Sequence, residues 1–340
     1  MIPKKVILDC DPGSDDAIAM MLAMKSDAID LIGVTTVNGN RIVPKTTENA
    51  LRVVQFMKSS VPVYRGCEEP IICNEIPGRK PGLPRVTLND CHGDFLPLPE
   101  AEIRTEKEHA VFYLVKKLME SEGDIYVAAV GPLTNLAMAL RIEPKIAGKI
   151  KQLVIMGGGH CGANASPAAE FNFYADPEAA KIVMDSAIPK VILPLDATWR
   201  ACLSEEKCKE LAQLGTPEAK VAAALVQKRI DNLKVNDVSE HNYALRHQAG
   251  TVAGAMLYRY DNHMAPIHDA LAIAYLINEN VVTELADANV DIDIAGGLCD
   301  GRMVADFHNT KKSKAPVTAK VALNSDAGLF TDMLFAALGK

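Results

Sequence analysis

The stretch VILDCDPGSDDAIAMMLA, residues 6–23, sets four aspartates within eight positions: Asp9, Asp11, Asp15 and Asp16. Two unpaired carboxylates about 4 Å apart repel by about 4 kcal/mol at an effective dielectric of about 20. A bound cation or a shared proton removes that cost, and all-oxygen ligands suit Ca²⁺ or Mg²⁺ better than zinc. Capping explains only part of the crowding. Pro12 and Gly13 turn the chain, Ser14 is the expected N-cap, and Asp15 and Asp16 fall in the first helical turn, where negative charge is favoured. Asp9 can face another layer, but Asp11 is left over, so a metal site is the better reading. Two familiar acidic motifs do not fit. Counting from Asp9, an EF-hand wants Asp or Asn where Gly13 stands and Glu where Met20 stands. An aspartyl-phosphatase motif usually carries Thr or Val at the position of Gly13.

Other chemistry-bearing residues lie further along. GGGHCG, residues 157–162, matches G-x-G-x-x-G after a strand. A dinucleotide site needs a helix to open there, and ANASPAAEFN follows instead, so the glycines serve a close backbone approach or a turn. Asn164, Glu170 and Asn172 share one polar loop, and together offer the amide donors and carboxylate acceptor that hold a sugar's hydroxyls. IHDA joins His268 to Asp269 just before an apolar helix, which Asp269 could simply cap. His92 sits in CHGD within a loop rich in Pro and Gly, where a histidine is usually only solvated.

These residues need a frame, and the chain supplies one. KKVILDC, IDLIGVTTV, DIYVAAV, IKQLVIM and PKVILPL read as buried strands. Helix-like runs alternate with them: DDAIAMMLAMKS, a helix starting near Pro44, LTNLAMALRI and DPEAAKIVMDS. That alternation predicts an α/β fold with a mostly parallel central sheet and helices on both faces. Ligands in such sheets sit at the carboxyl ends of the strands, where the aspartates are. Residues 65–105 read as one long loop, a length common in lids. Residues 204–263 read as mainly helical, and strand patterns return from 281. No linker or repeat divides the chain, so residues 1–340 are expected to form a single domain. A net charge of −7 argues against a nucleic-acid binder. No apolar run is long enough to span a bilayer, and the N-terminus lacks a signal-peptide core. The eight cysteines form no CxxC pair, which points to a reduced, cytoplasmic setting.

DCDPGSDDA resembles the N-terminal signature of the nucleoside hydrolases, which cleave the N-glycosidic bond of ribonucleosides. Five further segments agree in order: TTVNGN (35–40), VGPLTNLA (130–137), VIMGGG (154–159), NASPAAEFNFYADPEAA (164–180) and PIHDALAIAYL (266–276). The resemblance implies Ca²⁺ held by Asp11, Asp16, Asp269 and the backbone carbonyl of Val130. It makes Asp11 the general base and His268 the proton donor to the leaving base. It carries ribose contacts onto Asp15, Asn40, Asn164, Glu170 and Asn172, with His92 as a further substrate contact. Trp199 is the only tryptophan, and none stands near His92 or His268, so an inosine–uridine type fits better than a purine-selective one. The expected assembly is a homodimer or homotetramer, acting on a ribonucleoside in salvage or catabolism. A calcium-dependent ribose- or nucleoside-binding protein without turnover is the alternative. A phosphohydrolase would need Lys or Arg beside the acids, and the matched segments offer few.

Overall fold

The computed structural model describes residues 2–72, 75–76, 93–235, 263–307 and 316–340. Its strands are β1 (Lys4–Cys10), β2 (Ile29–Thr36), β3 (Val63–Arg65), β4 (Ile125–Ala129), β5 (Ile150–Met156), β6 (Lys190–Leu193), β7 (Cys202–Ser204), β8 (Met264–Pro266), β9 (Val282–Ile292), β10 (Met303–Asp306) and β11 (Ala319–Ser325). Nine of them form one sheet in the order β10-β9-β11-β6-β5-β4-β1-β2-β3. Every pairing from β11 to β3 is parallel, while β9 pairs antiparallel with β11 and β10. β7 and β8 form a separate antiparallel pair.

Side-chain alternation along the strands divides the core into two layers. Val6, Leu8 and Cys10 of β1 pack in one layer with Ala128 and Val154, while Ile7 packs in the other with Val127, Ala129, Leu153 and Ile155. The first layer is completed by helices α1 (Ser14–Lys25), α2 (Val43–Phe56), α8 (Glu205–Gln213), α9 (Pro217–Val235), α10 (His268–Ile277) and α11 (Ala327–Leu338). The second is completed by α3 (Ala110–Met119), α4 (Thr134–Ile142) and α6 (Pro177–Met184). Burial on both faces is why the central strands are apolar at nearly every position rather than at alternate ones. Two short helices, α5 (Phe171–Ala175) and α7 (Leu195–Thr198), follow strand ends.

From β1 the chain moves to β2 and β3 on one side, whereas β4, β5 and β6 step away on the other. The switch therefore falls between β1 and β4, the crevice where open α/β sheets bind ligands. Two expectations change in detail and a third, on the glycine run, holds. Gly13, not Ser14, is the N-cap of α1, because the Asp16 side chain reaches back to the Gly13 N–H. His268 and Asp269 lie inside the first turn of α10 rather than before it, with Ile267 as N-cap. Beyond Gly159 no helix opens until Phe171, so the glycine run does not build a dinucleotide site. The described part of 66–109 holds neither α-helix nor strand. Among the described residues no helix is long and apolar enough to cross a membrane.

Candidate active site

β1 ends at Cys10 and delivers Asp11 into the crevice. Asp11 is closely walled by backbone. A Cβ on Gly39 would overlap Asp11 Oδ2, and one on Gly131 would stand 2.7 Å from Oδ1. Any side chain at either place would displace the carboxylate, which is the physical reason for glycine in VNGN and VGPL. The Asn40 N–H donates to Asp11 Oδ2 at 2.5 Å. Its side-chain amide donates to the Asp11 carbonyl and to Asp16 Oδ2, each at 3.2 Å. Asp16 also accepts from the N–H groups of Asp11 (3.1 Å) and Gly13 (2.9 Å), so it fastens the turn on which it sits.

α10 packs against α1 and brings Asp269 to this turn. Oxygens of Asp15, Asp16 and Asp269 lie within 4.8 Å of one another. Asp15 and Asp269 are 6% and 4% exposed, and Asp11 and Asp16 still less. Burial, and then the charge of Asp16, push the Asp11 carboxyl well above the ordinary range, with the Asn40 N–H opposing. Burial, and then the charges of Asp15, Asp16 and Asp11, do the same to Asp269, and the charge of Arg229 opposes. Arg229 of α9 pairs with Asp15 at 2.8 Å. Fully ionised, the four carboxylates against one guanidinium carry three net negative charges in a buried, all-oxygen pocket. A hard divalent cation fits that donor set and that charge.

Asp9 is in step with Ile7 and points to the other layer. Its Oδ1 accepts from Thr35 Oγ1 (2.6 Å) and Asn135 Nδ2 (2.8 Å), while burial raises it to about 6. It belongs to the support of β1 and not to the cluster.

The remaining expected residues form a chain of contacts leading away from Asp11. The Val130 carbonyl, one residue before Gly131, accepts from Asn172 Nδ2 at 2.8 Å. A carbonyl has a second lone pair, so this bond leaves Val130 able to serve a cation. The same Asn172 nitrogen donates to the Met156 carbonyl at 3.0 Å. Glu170 caps α5. Its Oε2 accepts from the N–H groups of Gly158 (2.8 Å), Asn172 (3.0 Å) and Phe173 (3.3 Å), and burial raises it to about 7 against those bonds. Asn164 Oδ1 accepts from the Phe171 N–H at 2.8 Å. His268 is half-buried, with Nδ1 2.8 Å from Thr198 Oγ1. His92 lies outside the described residues. Trp199 is buried beneath the glycine loop, and a Cβ on Gly162 would stand 2.5 Å from its ring.

The structure thus brings the oxygens of Asp15, Asp16 and Asp269 together, joins Asp11 to Asp16 through the Asp11 N–H and both to Asn40, and sets Val130 beside Asp11 through the adjoining Gly131. Asn172, Glu170 and Asn164 are engaged with backbone around the neighbouring strand ends. Two residues were not anticipated. Arg229 occupies the apolar stripe of α9 with Leu225, Val226 and Ile230, and a cation at such a position is a readable signal. Asn49 donates to the Pro12 carbonyl and accepts from the Leu96 N–H, both at 2.9 Å, clamping the DPG turn to the far end of the long loop. Nothing in its spacing announces that.

Comparison with known proteins agrees with this architecture. A family model described as inosine-uridine preferring nucleoside hydrolase matches residues 6–332. The chain is 35% identical over 333 residues to the pyrimidine-specific ribonucleoside hydrolase RihB of Escherichia coli O157:H7, covering 96% of this chain and 95% of that one. It is 36% identical over 337 residues to RihB of Escherichia coli O9:H4 (strain HS), covering 97% and 95%. Among solved structures, the plant nucleoside hydrolase PpNRh1 superposes with a TM-score of 0.81 at 27% identity, over 99% of both chains. A purine-preferring ribonucleoside hydrolase from Gardnerella vaginalis has the same fold, with a TM-score of 0.79 at 24% identity over 99% and 98%.

Proposed function

The chain belongs to the inosine-uridine preferring nucleoside hydrolases, a metal-dependent family that hydrolyses ribonucleosides to ribose and free base, and from that membership we propose how its own residues carry the reaction. The observation that supports the reading best is the meeting of Asp15, Asp16 and Asp269 beside Asp11 at the sheet's switch point. In this reading Asp11, Asp16, Asp269 and the Val130 carbonyl hold Ca²⁺. Such a cation, when bound, supplies the Lewis acidity that lowers the pKa of a water.

Asp11 accepts the proton of the attacking water as general base. The attack follows inverting glycoside hydrolysis, through an oxocarbenium-like centre. Asp15, Asn40, Asn164, Glu170 and Asn172 hold the ribose, with His92 a further substrate contact, and hydroxyl contacts that strengthen as the ring flattens accelerate the step. His268 passes a proton to the departing base. The Thr198 hydroxyl at its Nδ1 orients the ring. The whole chain acts as one domain, and the assembly is a homodimer or homotetramer, which light scattering on the purified protein tests.

Base release from uridine, cytidine, inosine and adenosine tests the reading, with uridine and cytidine first because the RihB relatives are pyrimidine-specific. Release is expected from ribonucleosides, to be abolished by chelation and to be restored by Ca²⁺. No release from any of the four would defeat the reading. His268→Ala should slow uridine and inosine by roughly 10²–10⁴-fold, the usual worth of a general acid. It should leave p-nitrophenyl riboside nearly intact, because nitrophenolate departs without a proton. Equal losses on both kinds of substrate would remove His268 from that role.

A further inference from the structure

Arg229 lies on α9, outside every segment that carries the family resemblance. Its helix face is otherwise apolar: Ala222, Leu225, Val226 and Ile230 are all buried. Arg229 itself is 9% exposed. Burying a guanidinium without a partner is costly, so its position in the fold is set by what it pairs with. Its Nη1 stands 2.8 Å from Asp15 Oδ2 and 3.5 Å from Ser14 Oγ. The pair lies at the edge of the acidic cluster, and the Arg229 charge reaches Asp269 as well.

Asp15, Asp16 and Asp269 are close enough to compete for one cation. Asp16 is engaged with amide donors of its own turn. Asp15 has an oxygen against a guanidinium, so much of its charge is already compensated. We propose that Arg229 is a positioning residue that divides the cluster. It draws Asp15 away from the cation and presents it to the sugar, leaving Asp11, Asp16 and Asp269 to hold the metal. This rests on the hydrolase reading above.

Two consequences of opposite sign follow. A positive charge beside the cluster weakens its hold on a divalent cation, so removing that charge strengthens the hold. The same removal releases Asp15 from its sugar-facing position and weakens riboside binding. An arginine that merely glued α9 to α1 would not produce opposed shifts.

The test is calorimetric titration of Ca²⁺ into metal-stripped wild type, Arg229→Met and Arg229→Lys, with KM and kcat for uridine at saturating Ca²⁺. Arg229→Met is expected to bind Ca²⁺ about 10-fold tighter or more. Its uridine KM should rise about 10-fold, with kcat less affected. Arg229→Lys keeps the charge and should hold Ca²⁺ affinity within about threefold of wild type, while recovering KM only in part because it lacks the guanidinium's geometry. Unchanged or weaker Ca²⁺ binding in folded Arg229→Met overturns the proposal. So does tighter Ca²⁺ binding with an unchanged KM, since Asp15 would then not read the sugar. If Arg229→Met does not fold, Arg229→Gln carries the same comparison, and the same two outcomes in it overturn the proposal. Failure of wild type to release base from any ribonucleoside would defeat the hydrolase reading, whereas normal release without the Ca²⁺ contrast would defeat the Arg229 proposal alone.

Discussion

Glu170 and Asp176 are as deeply buried as Asp11 and Asp16, yet the fold treats the two groups differently. Glu170 accepts three backbone N–H groups on one oxygen. Asp176 caps α6 through the Ala179 N–H and also accepts from Thr134 Oγ1 (2.7 Å) and the Ile71 N–H (2.9 Å). Burial raises these carboxyls only to about 7 and about 6, because the donors oppose it. In the cluster the dominant neighbours of a carboxylate are other carboxylates, and their charges add to the effect of burial. Donors settle a buried acid locally, whereas like charges leave a demand that only a cation or a proton meets. The first arrangement builds the fold around carboxylates, of which the ribose reading also uses Glu170, and the second builds the metal site.

Substitutions should separate the two groups. Asp11→Asn keeps the shape and removes the charge. It should cost roughly 10²–10⁴-fold in base release, the worth of a general base. The metal-free protein should not lose stability, because one repelling charge has gone. A thermal melt of the stripped protein checks this. A marked fall in melting temperature would put Asp11 in the fold-building group. Asp176→Ala should do the reverse. It removes a helix cap and two further bonds, about 3 kcal/mol in all, read as a lower denaturant midpoint. Ca²⁺ affinity should stay within about threefold of wild type, since Asp176 touches none of the cluster and the change is well under a decade of binding free energy.

The sequence made the site's acids legible because their crowding has an electrostatic cost that can be judged without coordinates. The parallel sheet was legible for a similar reason: strands buried on both faces must be apolar throughout. What stayed hidden depends on direction and on distant partners. The tail's strand patterns at β9 and β11 could not reveal that they pair antiparallel, since alternation is the same in either direction. Ser14 looked like the N-cap because its hydroxyl suits that place, but the Asp16 side chain takes the Gly13 N–H and moves the cap by one residue. Asn172 read as a sugar contact, and nothing in its spacing pointed to a second, structural use. Its amide nitrogen lies between the carbonyls of Val130 and Met156, two strand ends brought together only by the β4–β5 pairing. Arg229 reaches Ser14, 215 positions away in the chain, and the adjoining Asp15. Residue spacing carries no information about that meeting.

The smallest expected effect concerns Glu170 and sharpens the contrast from the fold-building side. An unfolded glutamate titrates near its ordinary value of about 4.3, whereas burial holds the folded one at about 7. Between those values the folded state keeps a proton that the unfolded state has lost, so stability falls as pH rises through the window. Above the folded value both states are ionised and the contribution is constant. Asp9 and Asp176 are raised by the same cause, but only to about 6. Of these three carboxyls Glu170 therefore dominates the interval from pH 6 to 7, and one pH unit there is worth at most about 1.4 kcal/mol for a single group. Glu170→Gln carries no titrating proton. With Ca²⁺ saturating, so that the cluster stays ionised, wild type should lose about 1 kcal/mol more than the variant between pH 6 and 7. Denaturant midpoints at the two pH values measure the difference. Equal slopes in the two proteins would mean that the three N–H donors hold Glu170 ionised throughout, and that this acid is settled even more completely than its burial suggests.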